Sequence, residues 1–244
     1  MIQLPQNLKR KQLPGHILFQ LEPLSYDDHK MQISMVTFFL IDALLIAPLF
    51  VIWVNWASFI TLPMMIIINI WAIALLFRKS INIEIETILF VCYAGLVGSI
   101  CYFVAGLKQI YLLGMDSLGF YLAMAAIYLV ATCLFVFHQF KKYSLGSNFK
   151  QKETPAWHYA VASIAIPAGY IASKYLMRLS ESIISLSITV VLLLSSYGFM
   201  WLFAKYFHKY FFIKKNIQYV KLANKEVKDK LMHELAKKGV KNNE

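Results

Sequence analysis

The chain has 244 residues, of which 59% are hydrophobic and only 15% are charged. Because charged residues make up about 25% of a typical soluble domain, this composition excludes an ordinary soluble fold and predicts an all-α, polytopic membrane protein. Lysine and arginine outnumber the acids by 24 to 13, which gives a net charge of +11. A nucleic-acid-binding module would need a basic face on a soluble fold, and the apolar segments leave no room for one. We therefore expect a lipid bilayer, and no nucleic acid, as the partner of this charge.

Residues 1–32 are predicted to form a cytoplasmic N-terminal segment. Pro5, Pro14 and Pro23 exclude one continuous helix here, because proline has no backbone N–H to donate. The apolar stretch at residues 16–24 is suited to the membrane surface or to packing under the helices, and a loosely ordered tail is an equal alternative.

Six apolar segments follow, each long enough to cross a bilayer, which takes about 20 helical residues at 1.5 Å per residue. They define a six-helix transmembrane domain over residues 33–212, with spans at about 33–54, 57–77, 87–107, 115–138, 157–176 and 182–207. An even number of spans puts both termini on one side of the membrane.

Lysine and arginine predict which side that is, because short loops rich in them stay in the cytoplasm. If both termini are cytoplasmic, 21 of the 24 basic residues lie on that side. Only Lys108, Lys174 and Arg178 fall at or near the outer edge. The pattern predicts an integral protein of a bacterial plasma (inner) membrane with cytoplasmic N and C termini.

A weak internal similarity relates the two halves of the chain. Residues 57–107 match residues 157–207 at ten positions without gaps, and whole spans align with whole spans. A repeat unit of three spans would be inverted in the membrane, which is a common arrangement in secondary transporters. Chance identity in an Ile- and Leu-rich sequence is the alternative explanation.

Small residues recur four positions apart in three of the spans, which allows close helix packing. Packing within one bundle is the simpler interpretation, and a dimer face is the alternative. The rows are Ala94 with Gly98, Gly95 with Ser99, Gly119 with Ala123, and Ala165 with Gly169 and Ser173.

Asp42 lies near the middle of the first span, where a carboxylate is rare and often marks an ion pathway or a buried polar pair. Asn69 in the second span is a candidate companion. Pro63 and Pro167 interrupt corresponding spans of the two halves, and all four residues are candidates for a transport pathway. A purely structural role for Asp42 is an equal alternative.

A second group of charged residues collects at the predicted outer edge. It could line an outer vestibule, or its long side chains could extend toward lipid headgroups. The group comprises Lys108, Asp116, Lys174, Arg178 and Glu181.

The C-terminal residues 213–244 are predicted to form a basic amphipathic tail in the cytoplasm. Apolar residues from Ile213 to Leu235 recur with helical spacing, and eight lysines surround them between Ile213 and Val240. Such a helix can lie on anionic lipid headgroups or pair with another helix.

No catalytic, metal-binding or cofactor-binding motif is present, so we expect no enzyme activity and no cofactor. The mid-membrane acid and the weak repeat favour transport of a small solute or ion through a helical bundle. The alternative is an accessory or immunity-type protein that binds another membrane protein or a second copy of itself.

Overall fold

The structure is a computed structural model that describes residue 4 and residues 10–23, 29–79, 83–115, 117–143, 180–222, 229, 232 and 233. Over these residues the protein is all-helical, with six helices and no strand. The short helix α1 covers Gly15–Leu21. The five long helices are α2 (His29–Phe50), α3 (Asn55–Leu76), α4 (Glu84–Leu112), α5 (Leu118–Lys142) and α6 (Glu181–Lys215).

All five long helices are long and apolar enough to cross a membrane. They correspond to five of the six predicted spans, and the predicted span at residues 157–176 lies outside the described residues. The first span is shifted along the sequence, because α2 begins and ends four residues before the predicted limits. Lys108 explains the early end, because its ammonium binds the carbonyls of Pro48 and Leu49 in the last turn.

The centre of the fold is α4, which packs antiparallel against α6. Gly95 faces Phe203 and Gly98 faces Phe199. A Cβ atom on Gly95 would lie 2.7 Å from the backbone nitrogen of Phe203, so glycine is what allows this approach. The small-residue rows of the third span therefore mediate helix packing within one bundle.

The connection between α4 and α5 turns the chain back on itself. Gly114 has a φ angle of +82°, a left-handed conformation that glycine adopts without strain. The Met115 N–H donates to the Ile110 carbonyl, which completes a Schellman cap. Tyr128 of α5 then packs on Phe103 of α4, so that these two helices are antiparallel.

Helices α5 and α6 consequently run in the same direction. Near their C-terminal ends, the ring of His208 in α6 stacks on Tyr143 and meets Phe140 edge to face. The C-terminal end of α5 and the N-terminal end of α6 therefore lie at opposite ends of the bundle. We call the end that holds His29 and Lys215 the terminal face and the other end the turn face.

The N-terminal segment packs against the C-terminal end of α6. Ile17 and Leu21 of α1 are fully buried. Gln20 hydrogen-bonds His208 at 3.0 Å, and the Leu4 N–H donates to the Asn216 side chain at 2.8 Å. The sequence analysis left three alternatives for residues 16–24: the membrane surface, packing under the helices and a loosely ordered tail. Residues 16–21 pack under the helices.

The helix predicted across Ile213 to Val240 is not continuous. Helix α6 ends at Lys215, residues Ile217–Tyr219 form a 3-10 turn, and Val220 is extended. The Asn216 side chain donates to the Phe212 carbonyl and accepts from Leu4, which holds the chain at the helix end. Part of the apolar stripe is thus buried against the bundle.

Candidate functional site

Asp42 and Asn69 meet at the contact between α2 and α3. The Asn69 carboxamide donates to Asp42 Oδ1 at 3.0 Å and to the Met65 carbonyl at 2.9 Å. Both side chains are partly buried. We call this polar pair and its immediate helix contact the α2–α3 seam.

The backbone around Asp42 is unusual. Residues Met35–Ala43 form a π-helix, which widens the turn that carries the carboxylate. Short π-helical segments within longer helices are frequent at functional sites. Tyr102 of α4 supports this segment, because its hydroxyl donates to the Leu40 carbonyl. The sequence analysis did not identify Tyr102, since nothing in its local sequence indicates a partner 62 residues away.

The α2–α3 seam lies on the outer surface of the bundle. Large apolar side chains one turn before and after the pair are exposed on both helices, namely Phe38, Ile46, Ile66 and Ile73. On the described part of the protein, exposed apolar side chains therefore flank the carboxylate on its outer side. A half-buried acid in this position is costly unless a further hydrogen-bond donor satisfies it.

Pro63 was also predicted to line a pathway with Asp42, but it does not join the polar pair. Pro63 is exposed on α3, six residues before Asn69. Pro167 lies outside the described residues. Of the four candidate pathway residues, the structure brings together Asp42 and Asn69.

Lys108, assigned by sequence to an outer vestibule or to the headgroup region, is fully buried. Its ammonium lies 2.7 Å from the Pro48 carbonyl oxygen and 2.8 Å from that of Leu49. The last carbonyls of a helix have no partner within the helix and carry partial negative charge. Lys108 therefore caps the C-terminal end of α2.

Among the other members of that charged group, the described part of the chain includes Glu181. Glu181 is exposed at the first turn of α6. Asp116, Lys174 and Arg178 lie outside the described residues.

The chemistry available at the α2–α3 seam is hydrogen bonding. The Asp42 carboxylate has two oxygens, each able to accept more than one bond, and Asn69 donates to one of them. No group of three or more His, Cys, Asp or Glu side chains within the described ranges is arranged to hold a metal ion. The seam is thus an acceptor site within an apolar surface.

Comparison with known protein families, with curated proteins and with solved structures finds no match for this chain.

Proposed function

We propose that this chain is a six-span, non-enzymatic protein of a bacterial plasma membrane that holds another membrane protein through the α2–α3 seam. The observation that carries the proposal is the Asp42–Asn69 pair, which lies half-buried among exposed apolar side chains. Polar side chains that hydrogen-bond across helices promote association within a membrane. A partner helix that donates to Asp42 would cover the surrounding apolar surface and satisfy the acid.

The direction of the helices supports six spans. Because α5 and α6 are parallel, the chain has to return from the terminal face to the turn face between Tyr143 and Ser180. Residues 157–176 supply an apolar segment of the length that one crossing needs. The packing of α1 on α6 agrees with an even number of crossings, and the distribution of lysine and arginine favours a cytoplasmic location for both termini.

The packing of α4 on α6 is consistent with an inverted 3+3 repeat. The sequence offset of 100 residues makes Gly98 equivalent to Gly198. In an inverted repeat, equivalent positions meet at the two-fold axis, and Gly98 packs directly on Phe199. The observed contact, Phe199, is one residue from the equivalent position, Gly198, and this agreement supports the repeat.

The binding function is tested by purifying a tagged protein from its native membrane and identifying the proteins that copurify. Asp42→Leu and Asn69→Leu each replace one member of the polar pair with an apolar side chain. We expect both variants to lose a partner that the wild type retains. Leu129→Ala, at an exposed position on α5, is the matched control and should retain it.

Two outcomes of the copurification experiment would contradict or change the proposed binding function. The same set of proteins with all three variants would contradict a role for the α2–α3 seam. If the partner lost is a second copy of this chain, the seam is a homo-oligomer interface. The unfolding midpoint of each variant, measured in the same detergent, separates loss of binding from loss of the fold.

Transport of a small solute or ion is the second candidate. The π-helix at Asp42 favours it, because widened turns of this kind accompany functional sites. Protein reconstituted in liposomes should then show a flux that Asp42→Asn abolishes. Unchanged flux in this variant would exclude Asp42 from a transport mechanism.

We also propose that residues 223–240 of the tail contact anionic lipid headgroups. This part contains five lysines and three acids, which gives a net charge of +2. The residues just before it are not counted, because several of them are buried against the bundle. Each lysine near an anionic surface contributes about 1 kcal/mol at most, so the attraction should be weak and sensitive to salt. Sedimentation of a 223–240 peptide with anionic vesicles, at low and high salt, tests it.

A further inference from the structure

The polar pair of the α2–α3 seam uses all of its own hydrogen-bond donors. The Asn69 carboxamide has two N–H groups, which donate to Asp42 Oδ1 at 3.0 Å and to the Met65 carbonyl at 2.9 Å. The side-chain oxygens that these two bonds leave over are Asp42 Oδ2 and Asn69 Oδ1. Both are acceptors when Asp42 is ionised. A group that binds the pair by hydrogen bonds therefore has to be a donor.

The helices around the pair contain little positive charge that could neutralise Asp42. Residues 31–76, which include most of α2 and all of α3, contain no Lys or Arg. Lys108 is the only Lys or Arg of α4, and its ammonium binds the carbonyls of Pro48 and Leu49. Within the described part of the chain, the hydrogen-bond partner of the Asp42 carboxylate is the neutral side chain of Asn69. An ionised acid in an apolar environment is stable only when a positive charge or several donors compensate it.

The pair lies well inside the apolar length of both helices. Asp42 precedes the end of α2 at Phe50 by eight residues, and Asn69 precedes the end of α3 at Leu76 by seven. At 1.5 Å per residue, these distances are about 12 Å and about 10 Å. The exposed side chains beside the pair are Phe38, Ile46, Ile66 and Ile73. A helix of another membrane protein is therefore the kind of group that could reach the pair and cover these side chains at the same time.

We propose that the partner helix at the α2–α3 seam carries a lysine or arginine at the depth of Asp42. This inference rests on the proposed binding function and specifies the chemistry of the partner. A basic side chain supplies several N–H donors, enough for both Asp42 Oδ2 and Asn69 Oδ1, together with the neutralising charge. Ionisable side chains within membranes commonly pair with one another. A second copy of this chain fits less well, because its seam would present the same acceptors and the same negative charge.

Energy transfer between the full-length protein and synthetic transmembrane peptides tests this inference. The peptides are helices of about 22 Leu and Ala residues that carry Lys, Leu or Glu about eight positions from one end, to match the depth of Asp42. The donor dye is attached at Met115→Cys in a background without the native cysteines, and the vesicles contain only phosphatidylcholine. We expect the Lys peptide to bind about three- to 30-fold more tightly than the Leu peptide, and the Glu peptide no more tightly than the Leu peptide.

Two variants separate the Asp42 charge from general electrostatic attraction. Asp42→Asn keeps the size of the side chain but removes its charge, so the preference for the Lys peptide should be lost. Glu181→Gln is the matched control, because it removes one negative charge at an exposed position of α6 and should leave the preference unchanged. An equal loss of preference in both variants would show attraction without a specific site. The unfolding midpoint of each variant confirms that the fold is retained.

Three further results would overturn the inference. Equal binding of the three peptides by the wild type would show that the seam does not require a basic side chain. A preference for the Lys peptide that appears only in Lys174→Gln would assign the compensating charge to the chain itself. A copurifying partner that depends on the seam but has no Lys or Arg within its membrane spans would overturn this inference alone and leave the proposed binding function standing.

Discussion

Lys108 shows how one charged side chain can determine where a long apolar helix ends. It is fully buried, and its ammonium binds two carbonyls in the last turn of α2. Hydrogen bonds from a charged donor are stronger than neutral ones, and a buried carbonyl left without a donor costs about 1 to 3 kcal/mol. The end of α2 at Phe50 therefore depends on a residue of α4.

Lys108→Met should loosen the last turn of α2. The methionine keeps the side-chain volume but donates no hydrogen bond, so the carbonyls of Pro48 and Leu49 lose their partner. We expect amide hydrogen exchange of a peptide covering residues 44–54 to accelerate about 5- to 100-fold. Lys215→Met, at an exposed lysine, should not alter it, and an unchanged rate in Lys108→Met would refute the capping role.

At the scale of elements, the contact between α4 and α6 organises the bundle. Gly95, Gly98 and Gly106 of α4 each face a residue of α6 at a distance that leaves no room for a Cβ atom without rearrangement. Ser99 adds a hydrogen bond to the Ser196 carbonyl at 3.0 Å. Close backbone approach of this kind stabilises helix pairs in lipid, where the hydrophobic effect between helices is absent.

Gly95→Ala should lower the free energy of unfolding by about 1 to 3 kcal/mol, because the new methyl group meets the backbone of Phe203 rather than a flexible side chain. The matched control is Gly119→Ala on α5, where the nearest atom is the Ser117 hydroxyl oxygen at 3.8 Å. That substitution should be neutral or stabilising by less than about 1 kcal/mol. Titration with a denaturing detergent measures both, and equal effects would argue against a close α4–α6 contact.

For the whole molecule, the parallel arrangement of α5 and α6 makes a sharp prediction about topology. Lys141 lies at the terminal face and Ser180 at the turn face, and both are exposed. In a background without native cysteines, an impermeant thiol reagent should modify Lys141→Cys only from the cytoplasm and Ser180→Cys only from outside.

Two further positions serve as references for the outer side. Asn55→Cys and Met115→Cys lie at exposed positions of the turn face and should be modified from outside. Lys108 is unsuitable because it is buried. Modification of Lys141→Cys and Ser180→Cys from the same side would contradict a single crossing between them.

The sequence alone is sufficient for the helical class and for the approximate positions of five long helices. Length and apolarity are local properties, and a segment of about 20 apolar residues has few alternatives to a helix in lipid. The ends of the helices were harder to predict. The last turns of α2 and α6 depend on Lys108 and on the N-terminal segment, which are distant in sequence.

The same distinction applies to the candidate site. The sequence identified Asp42 as exceptional and named Asn69 as a companion, because a polar residue in an apolar span is visible without a structure. Their contact, the π-helix and the support from Tyr102 were decided by the tertiary structure, since each depends on how helices are rotated and aligned. An apolar composition determines that a helix is able to cross a membrane, whereas only packing between helices determines which of its sides faces a neighbour.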